Sequence, residues 1–227
     1  MKIIKWNIIV SLLVLFLFSC EQAEDDLNST ASLSFAVPAG GTLLKSGNSA
    51  VQLDSVKILL KTIQFHSEDD GDSLDFKTEP QILNLALDGS VNTLHAADIP
   101  LGTYNKVSFR IHKPEDDEDP GDPDFKEGTS GNERFCVVID GTYEGTAFIF
   151  KSRRSTKQRV DIDPPLVIDE EGLDVNVTLT VDVNSWFMDE DGNPLNPLEE
   201  GDEDEIDDAI RRSFRGFRDD DRQGNHP

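Results

Sequence analysis

Val175, Val177, Leu179, Val181 and Val183 stand at every second position of the chain. A period of two is that of a strand, whose successive side chains face opposite ways; a helix would scatter the same stripe around its axis. The period recurs along most of the sequence. Leu33, Phe35 and Val37 alternate with small polar residues before Pro38-Ala39-Gly40-Gly41 breaks the run. From Tyr104 to His112, Asn105, Val107, Phe109 and Ile111 alternate with Lys106, Ser108, Arg110 and His112. Val56 to Phe65 is apolar on both faces, with Val56, Ile58 and Leu60 expected on one side and Leu59, Ile63 and Phe65 on the other. That composition suits a central strand.

Turn signals divide these runs. Asp140-Gly141 between Phe135–Ile139 and Thr142–Phe150 predicts a hairpin. Glu68 to Ser73 predicts a hairpin tip, and Pro164-Pro165 separates two short strands. About eight to ten strands with such punctuation predict a mainly β fold, an antiparallel β-sandwich of the immunoglobulin-like or Greek-key type. The C-terminal part changes period. Ile206, Ala209, Ile210, Ser213, Phe214 and Phe217 fall on one face of a helix. Acids crowd its start and Arg211, Arg212, Arg215 and Arg218 its end, as the helix dipole favours. An amphipathic α-helix is expected over Asp202 to Arg215.

Length and charge bound the rest. The 227 residues carry 21 Lys+Arg against 45 Asp+Glu, a formal charge of -24. Such a chain is a poor ligand for nucleic acid or anionic lipid, which demand clustered cations. Thirteen Phe and 37% hydrophobic residues supply a core, so the chain is not wholly disordered.

The N-terminus is an address. Met1 to Lys5 is basic and Ile8 to Phe18 is an apolar run broken only by Ser11, too short to span a bilayer and suited to a secretory signal peptide. Leu17-Phe18-Ser19-Cys20 looks like a bacterial lipobox, with the small Ser19 before the cysteine that would be lipidated. Several acyl chains on Cys20 would anchor the protein stably, where a single one binds marginally. Residues 1–19 are therefore expected to be a lipoprotein signal peptide, and 20–32 a flexible acidic tether. The sandwich would occupy 33–187; an acidic loop, the helix and an Asp-rich tail would occupy 188–227.

The lipobox, the acidic run Glu21 to Asp26, Gly102-Thr103-Tyr104 leading into Val107 to Ile111, and Ser213 to Asp221 together resemble β-sandwich surface lipoproteins of Bacteroidota. The resemblance implies an envelope-anchored sandwich, and the acidic run points to an outer-membrane lipoprotein displayed at the cell surface, with retention on the periplasmic face as the alternative. The resemblance implies no activity and no ligand residues.

Candidate chemistry is sparse. Glu115 to Asp124 holds seven acids in ten residues and Glu199 to Asp208 eight in ten. A hard cation relieves such crowding. Asp219, Asp221 and Gln223, followed by Gly224, have calcium-loop spacing, and Asp189 and Asp191 form a similar turn; solvated acidic loops are the plainer alternative. Lys151, Arg153, Arg154, Lys157 and Arg159 form a basic cluster that pairs with the acidic loops or contacts a polyanion such as an acidic glycan. Cys136, in an apolar strand, is expected to be a buried hydrophobe, and His66 and His112 to be solvated at strand ends. The function expected is a non-enzymatic, membrane-anchored binding or adhesion module, with Ca2+ as a candidate stabiliser and a glycan or an envelope protein as partner. The alternatives are a scaffold subunit of an envelope assembly and, more remotely, a glycan-active enzyme.

Overall fold

The structure, a computed structural model, describes residues 28–38, 51–67, 73–77, 79–169 and 174–224. Cys20, the leader and the tether as far as residue 27 lie outside these. Strands β1 (Asn28–Ala36), β2 (Val51–Ser67), β3 (Ser73–Lys77), β4 (Gln81–Asn84), β5 (Val91–Pro100) and β6 (Gly102–Ile111) are followed by a long loop. Then come β7 (Val137–Tyr143), β8 (Thr146–Ser152), β9 (Thr156–Ile168), β10 (Asp174–Val181), helix α1 (Glu203–Arg212) and β11 (Phe214–Arg218). Residues 28–32, expected in the tether, are thus strand. No helix among the described residues is long and apolar enough to cross a membrane.

The mainly β class with one C-terminal helix holds; the wholly antiparallel pairing does not. The strands join one curled, mixed sheet. One wing is β5-β1-β10-β11 and the other β9-β6-β2-β7-β8, with β3 and β4 paired to β2. β1 runs parallel to β10, and β11 meets β9 in a parallel pairing at Gly216 opposite Ile162. Parallel partners are distant in sequence, so no local turn announces their direction. The wings face one another across a common core. The Phe35 ring of β1 lies 6.1 Å from that of Phe109 in β6, which in turn meets Phe214 of β11 at 5.2 Å.

Three local expectations are corrected. The hairpin between β7 and β8 turns at Glu144-Gly145, both at positive φ, and Asp140-Gly141 lies inside β7. Gly141 is there for close approach: a Cβ on it would come within 2.3 Å of the Gln52 carbonyl oxygen. Helix α1 stops at Arg212, and Ser213 closes it by donating its hydroxyl to the Ile210 carbonyl at 2.7 Å. Phe214 and Phe217 belong to β11, on opposite faces, because the edge of β10 offers them backbone partners. Gly216 permits that docking, since a Cβ would sit 3.1 Å from the Asp161 carbonyl and from side-chain carbons of Leu179 and Val160.

The third correction concerns β2. Lys61 pairs with Arg110 and Gln64 with Ser108, so Thr62 and Ile63 together oppose Phe109. This is a β-bulge, and Thr62 sits in it at φ 56. The extra residue reverses the side-chain parity. Ile63 and Phe65 therefore join Ile58 and Leu60 in the core, and Lys61, Gln64 and His66 share the outer face. Leu59 faces outward into a small second cluster with Phe125, Phe135 and Val138, under the long loop.

Candidate functional site

The bulge assembles a polar grid on the outer face of β2, β6 and β9. Residues directly opposite one another in an antiparallel pair share a face. One row reads Lys61, Arg110, Lys157; the next Gln64, Ser108, Arg159; the third His66, Lys106, Asp161. β6 and β9 supply these side chains through plain alternation, with Val107, Phe109, Val160 and Ile162 turned into the core. Arg110, Lys157 and Arg159 are exposed, and none has a carboxylate partner among the described residues. Lys106 reaches Asp161 at 3.4 Å, and Lys61 reaches Glu118 at 3.0 Å. In a chain of charge -24, three unneutralised cations on adjacent strands are a local reversal of the field.

His66 stands next to the last residue of β2, as expected, but is half-buried rather than fully solvated. Its Nε2 lies 2.8 Å from Ser108 Oγ, and burial first, then Arg159, Lys157 and Lys106, push its pKa below the ordinary imidazole value. The same shift shows those cations close at hand. The Ser-His contact is not a nucleophilic pair. Ser108 is 0% exposed, and among the described residues no carboxylate bonds to His66 to orient it. What the grid can do is hold anions.

The remainder of the predicted basic cluster is spent internally. Lys151 pairs with Glu127 at 2.7 Å, Arg153 with Glu203 at 3.0 Å and Arg154 with Asp208 at 2.8 Å. Lys151 and Arg153 also lie 5.0 and 5.2 Å from the centre of the Phe135 ring. The structure thus divides the cluster, sending Lys157 and Arg159 to the grid, Lys151 and Arg153 to the rim of a cavity of about 390 Å³, and Arg154 to Asp208 on helix α1. Sequence reasoning missed His66, Lys106 and Arg110 as members of the site. Their alternation was visible, but the pairing that sets them beside β9 was not.

The acidic loop 115–124 is pinned to the sheet. Lys57 bridges Asp122 and Asp124, both at 2.7 Å. Lys126 donates to the carbonyls of Asp116 and Glu118, each at 2.8 Å. His112 is buried against Glu118. Burial opposes ionisation of Glu118, but hydrogen bonds from His112, the Glu115 amide and Lys61 outweigh it and hold its pKa down at about 2.

The candidate calcium ligands fall in two separate loops. Asp219 is turned inward, 4% exposed. It accepts Thr178 Oγ1 at 2.7 Å, the Gly224 amide at 2.9 Å and the Gln223 amide at 3.2 Å. Thr178 in turn takes a bond from Asn176, whose Oδ1 accepts both Ser32 and Ser34 at 2.8 Å. Asp219 therefore ties the C-terminal segment across the back of β1 and β10. Asp221 accepts the Gln223 amide at 3.0 Å. Asp189 caps its own turn, taking the amides of Asp191 at 2.9 Å and Asn193 at 2.7 Å. No group of three or more His, Cys, Asp or Glu side chains suited to a metal ion occurs among the described residues. Cys136 is buried, its thiol pushed up to about 12 by desolvation, so it carries no useful thiolate near neutrality.

No family model matches the chain, and no curated protein matches it. Among solved structures it is similar to MbnP from Methylosinus trichosporium, at 10% identity and a TM-score of 0.45, over 70% of this chain and 77% of that one. So distant a likeness says nothing of ligand or activity.

Proposed function

We propose that this chain is a non-enzymatic envelope lipoprotein, anchored in the outer membrane through Cys20 and displayed at the surface, that binds an anionic ligand on the outer face of β2, β6 and β9. The facing wings make it a sandwich-like module on an acidic stalk. The observation that carries the reading is the trio Arg110, Lys157 and Arg159, exposed and without a carboxylate partner among the described residues in a strongly acidic chain. Charges left without partners at one place have not been used for folding, and they steer and hold opposite charge. The burial of Ser108 beneath the neighbouring side chains of the outer face, and of Cys136 in the core, supports the non-enzymatic side of the reading.

Titration of the detergent-solubilised protein with inorganic tripolyphosphate tests the face. Binding should weaken at least tenfold in Arg110→Glu and Arg159→Glu and persist in Arg153→Glu, whose partner is Glu203. The opposite pattern would overturn the reading. Cys20→Ala should release the protein from membranes into the soluble fraction; retention there would refute the anchor.

A second reading, a scaffold subunit, is favoured by one observation. β8 ends the sheet, and its Ile149 is 63% exposed beside Leu198 at 48%. An unpaired strand edge with apolar neighbours can accept a strand from a partner protein.

A further inference from the structure

We infer that the ligand of the β2-β6-β9 face is a linear acidic polysaccharide, held by its sulfate or carboxylate groups along the seam between β6 and β9. This rests on the binding face proposed above and names what that face takes. Three features of the grid select the class.

The first is the layout of charge. Arg110 and Lys157 oppose one another across the seam, and Arg159 follows two residues along β9. Opposed side chains start about 5 Å apart, and alternate residues on one strand about 7 Å apart. The three rows therefore extend over about 13 Å. The free cations fill the first two rows, about 7 Å apart, and Lys106 beside Asp161 continues the line into the third; a small anion meets only part of that line, whereas a chain bearing repeated anions follows it from row to row.

The second is what bounds the seam. Glu118 stands at Lys61, Asp161 at Lys106, and Asp163 is exposed further along β9. A broad anionic surface such as a lipid bilayer would press against these carboxylates. One narrow chain follows the cations between them.

The third is the floor. Its nine positions hold no Phe, Trp or Tyr, and the chain's Tyr104 and Trp186 are buried elsewhere. Single-stranded nucleic acid and neutral glycans both depend on aromatic platforms. Beside the cations lie the half-buried Gln64 and His66 instead, polar groups that exchange hydrogen bonds with hydroxyls, with the fully buried Ser108 bonded beneath them. The arginines bind sulfate or carboxylate through paired N–H groups.

The test uses the whole protein in detergent at low and at physiological salt. Dextran sulfate and polygalacturonate should each bind at least tenfold more tightly than tripolyphosphate, with affinity falling steeply as salt rises. Neutral dextran should not bind. Oligothymidylate and phosphatidylglycerol vesicles should bind at least tenfold more weakly than the polysaccharides. The double variant Arg110→Glu/Arg159→Glu should lose polysaccharide binding with an unchanged melting temperature, and the milder Lys157→Gln should weaken it severalfold. If tripolyphosphate binds at the grid but neither polysaccharide binds better, the polymer inference falls while the binding face stands. If oligothymidylate or vesicles bind as tightly, the ligand class is wrong. If tripolyphosphate does not bind either, the face itself is refuted.

Discussion

Asp207 shows how one side chain can work against its own fold. Helix α1 carries it inward, where it is 8% exposed and one carboxylate oxygen has no partner. Desolvation raises its pKa to about 6, against the opposing bond from Ser152. The folded state therefore holds its proton more tightly than the unfolded chain does, and stability increases as pH falls from about 6 towards 4. Ionisation at neutral pH costs on the order of 3 kcal/mol. Asp207→Asn, which mimics the protonated form, should stabilise the protein by about 2 kcal/mol at pH 7.5 and leave it unchanged at pH 3.5. Urea unfolding at the two pH values measures this, and an equal effect at both would show that burial of charge is not the cause.

The decisive element is the bulge in β2. Alternation in the sequence correctly marks a long strand, yet it assigns Ile63 and Phe65 to the wrong face, because one extra residue inverts parity from that point onward. Thr62 at φ 56 is the cost, since a β-branched residue is strained in the left-handed region. Thr62→Gly should therefore stabilise the protein by about 1 kcal/mol, the strain relieved less the added chain entropy. Deleting Thr62 should prevent folding, because Gln64 and His66 would turn into the core and Ile63 and Phe65 out of it. Denaturant midpoints of the two variants separate these effects, and a deletion variant of wild-type stability would disprove the inversion. Strand β11 teaches the same lesson from the other side. Phe214 and Phe217 fit a helical face, but the open edge of β10 recruits them as a strand, a demand no local window contains.

Charge balance across the protein makes opposite demands at the two ends of the acid range. Glu118 is ionised in the fold down to about pH 2, whereas an unfolded glutamate titrates at about 4.3. Its contribution is present above that value and is lost as pH falls from about 4 to 2. Asp122, held below the usual carboxylate range by its bond to Lys57, acts in the same direction. Together with Asp207 this predicts a bell-shaped profile, with stability greatest near pH 4 to 5 and declining on both sides. Thermal melting across pH 2 to 8 checks it. Glu118→Gln should flatten the acid limb and leave the neutral limb alone; a monotonic profile in the wild-type protein would contradict the assignment. The acidic loop 115–124 thus looks to Lys57 and Lys61 of the sheet for neutralisation, and Glu203 and Asp208 to Arg153 and Arg154, pairings that spacing along the chain does not reveal.

Period and composition were enough to establish that the chain is mainly β, that a helix with acids at its start and arginines at its end lies near the C-terminus, and that two short stretches concentrate the acid. These are local properties, written in which residues recur at two or at 3.6. Partnership was not legible. Whether β1 meets β10 in parallel, whether Lys57 reaches Asp122, and whether Arg159 is free while Arg153 is paired all depend on contacts between residues far apart in sequence. The basic cluster illustrates the division. Five cations in nine residues look equivalent along the chain, but alternation and sheet pairing set two of them beside Arg110 and Lys106 and give the other three to carboxylates. A linear sequence states which charges exist; the fold decides which remain uncompensated, because neutralisation acts over a few ångströms of space rather than over positions in the chain.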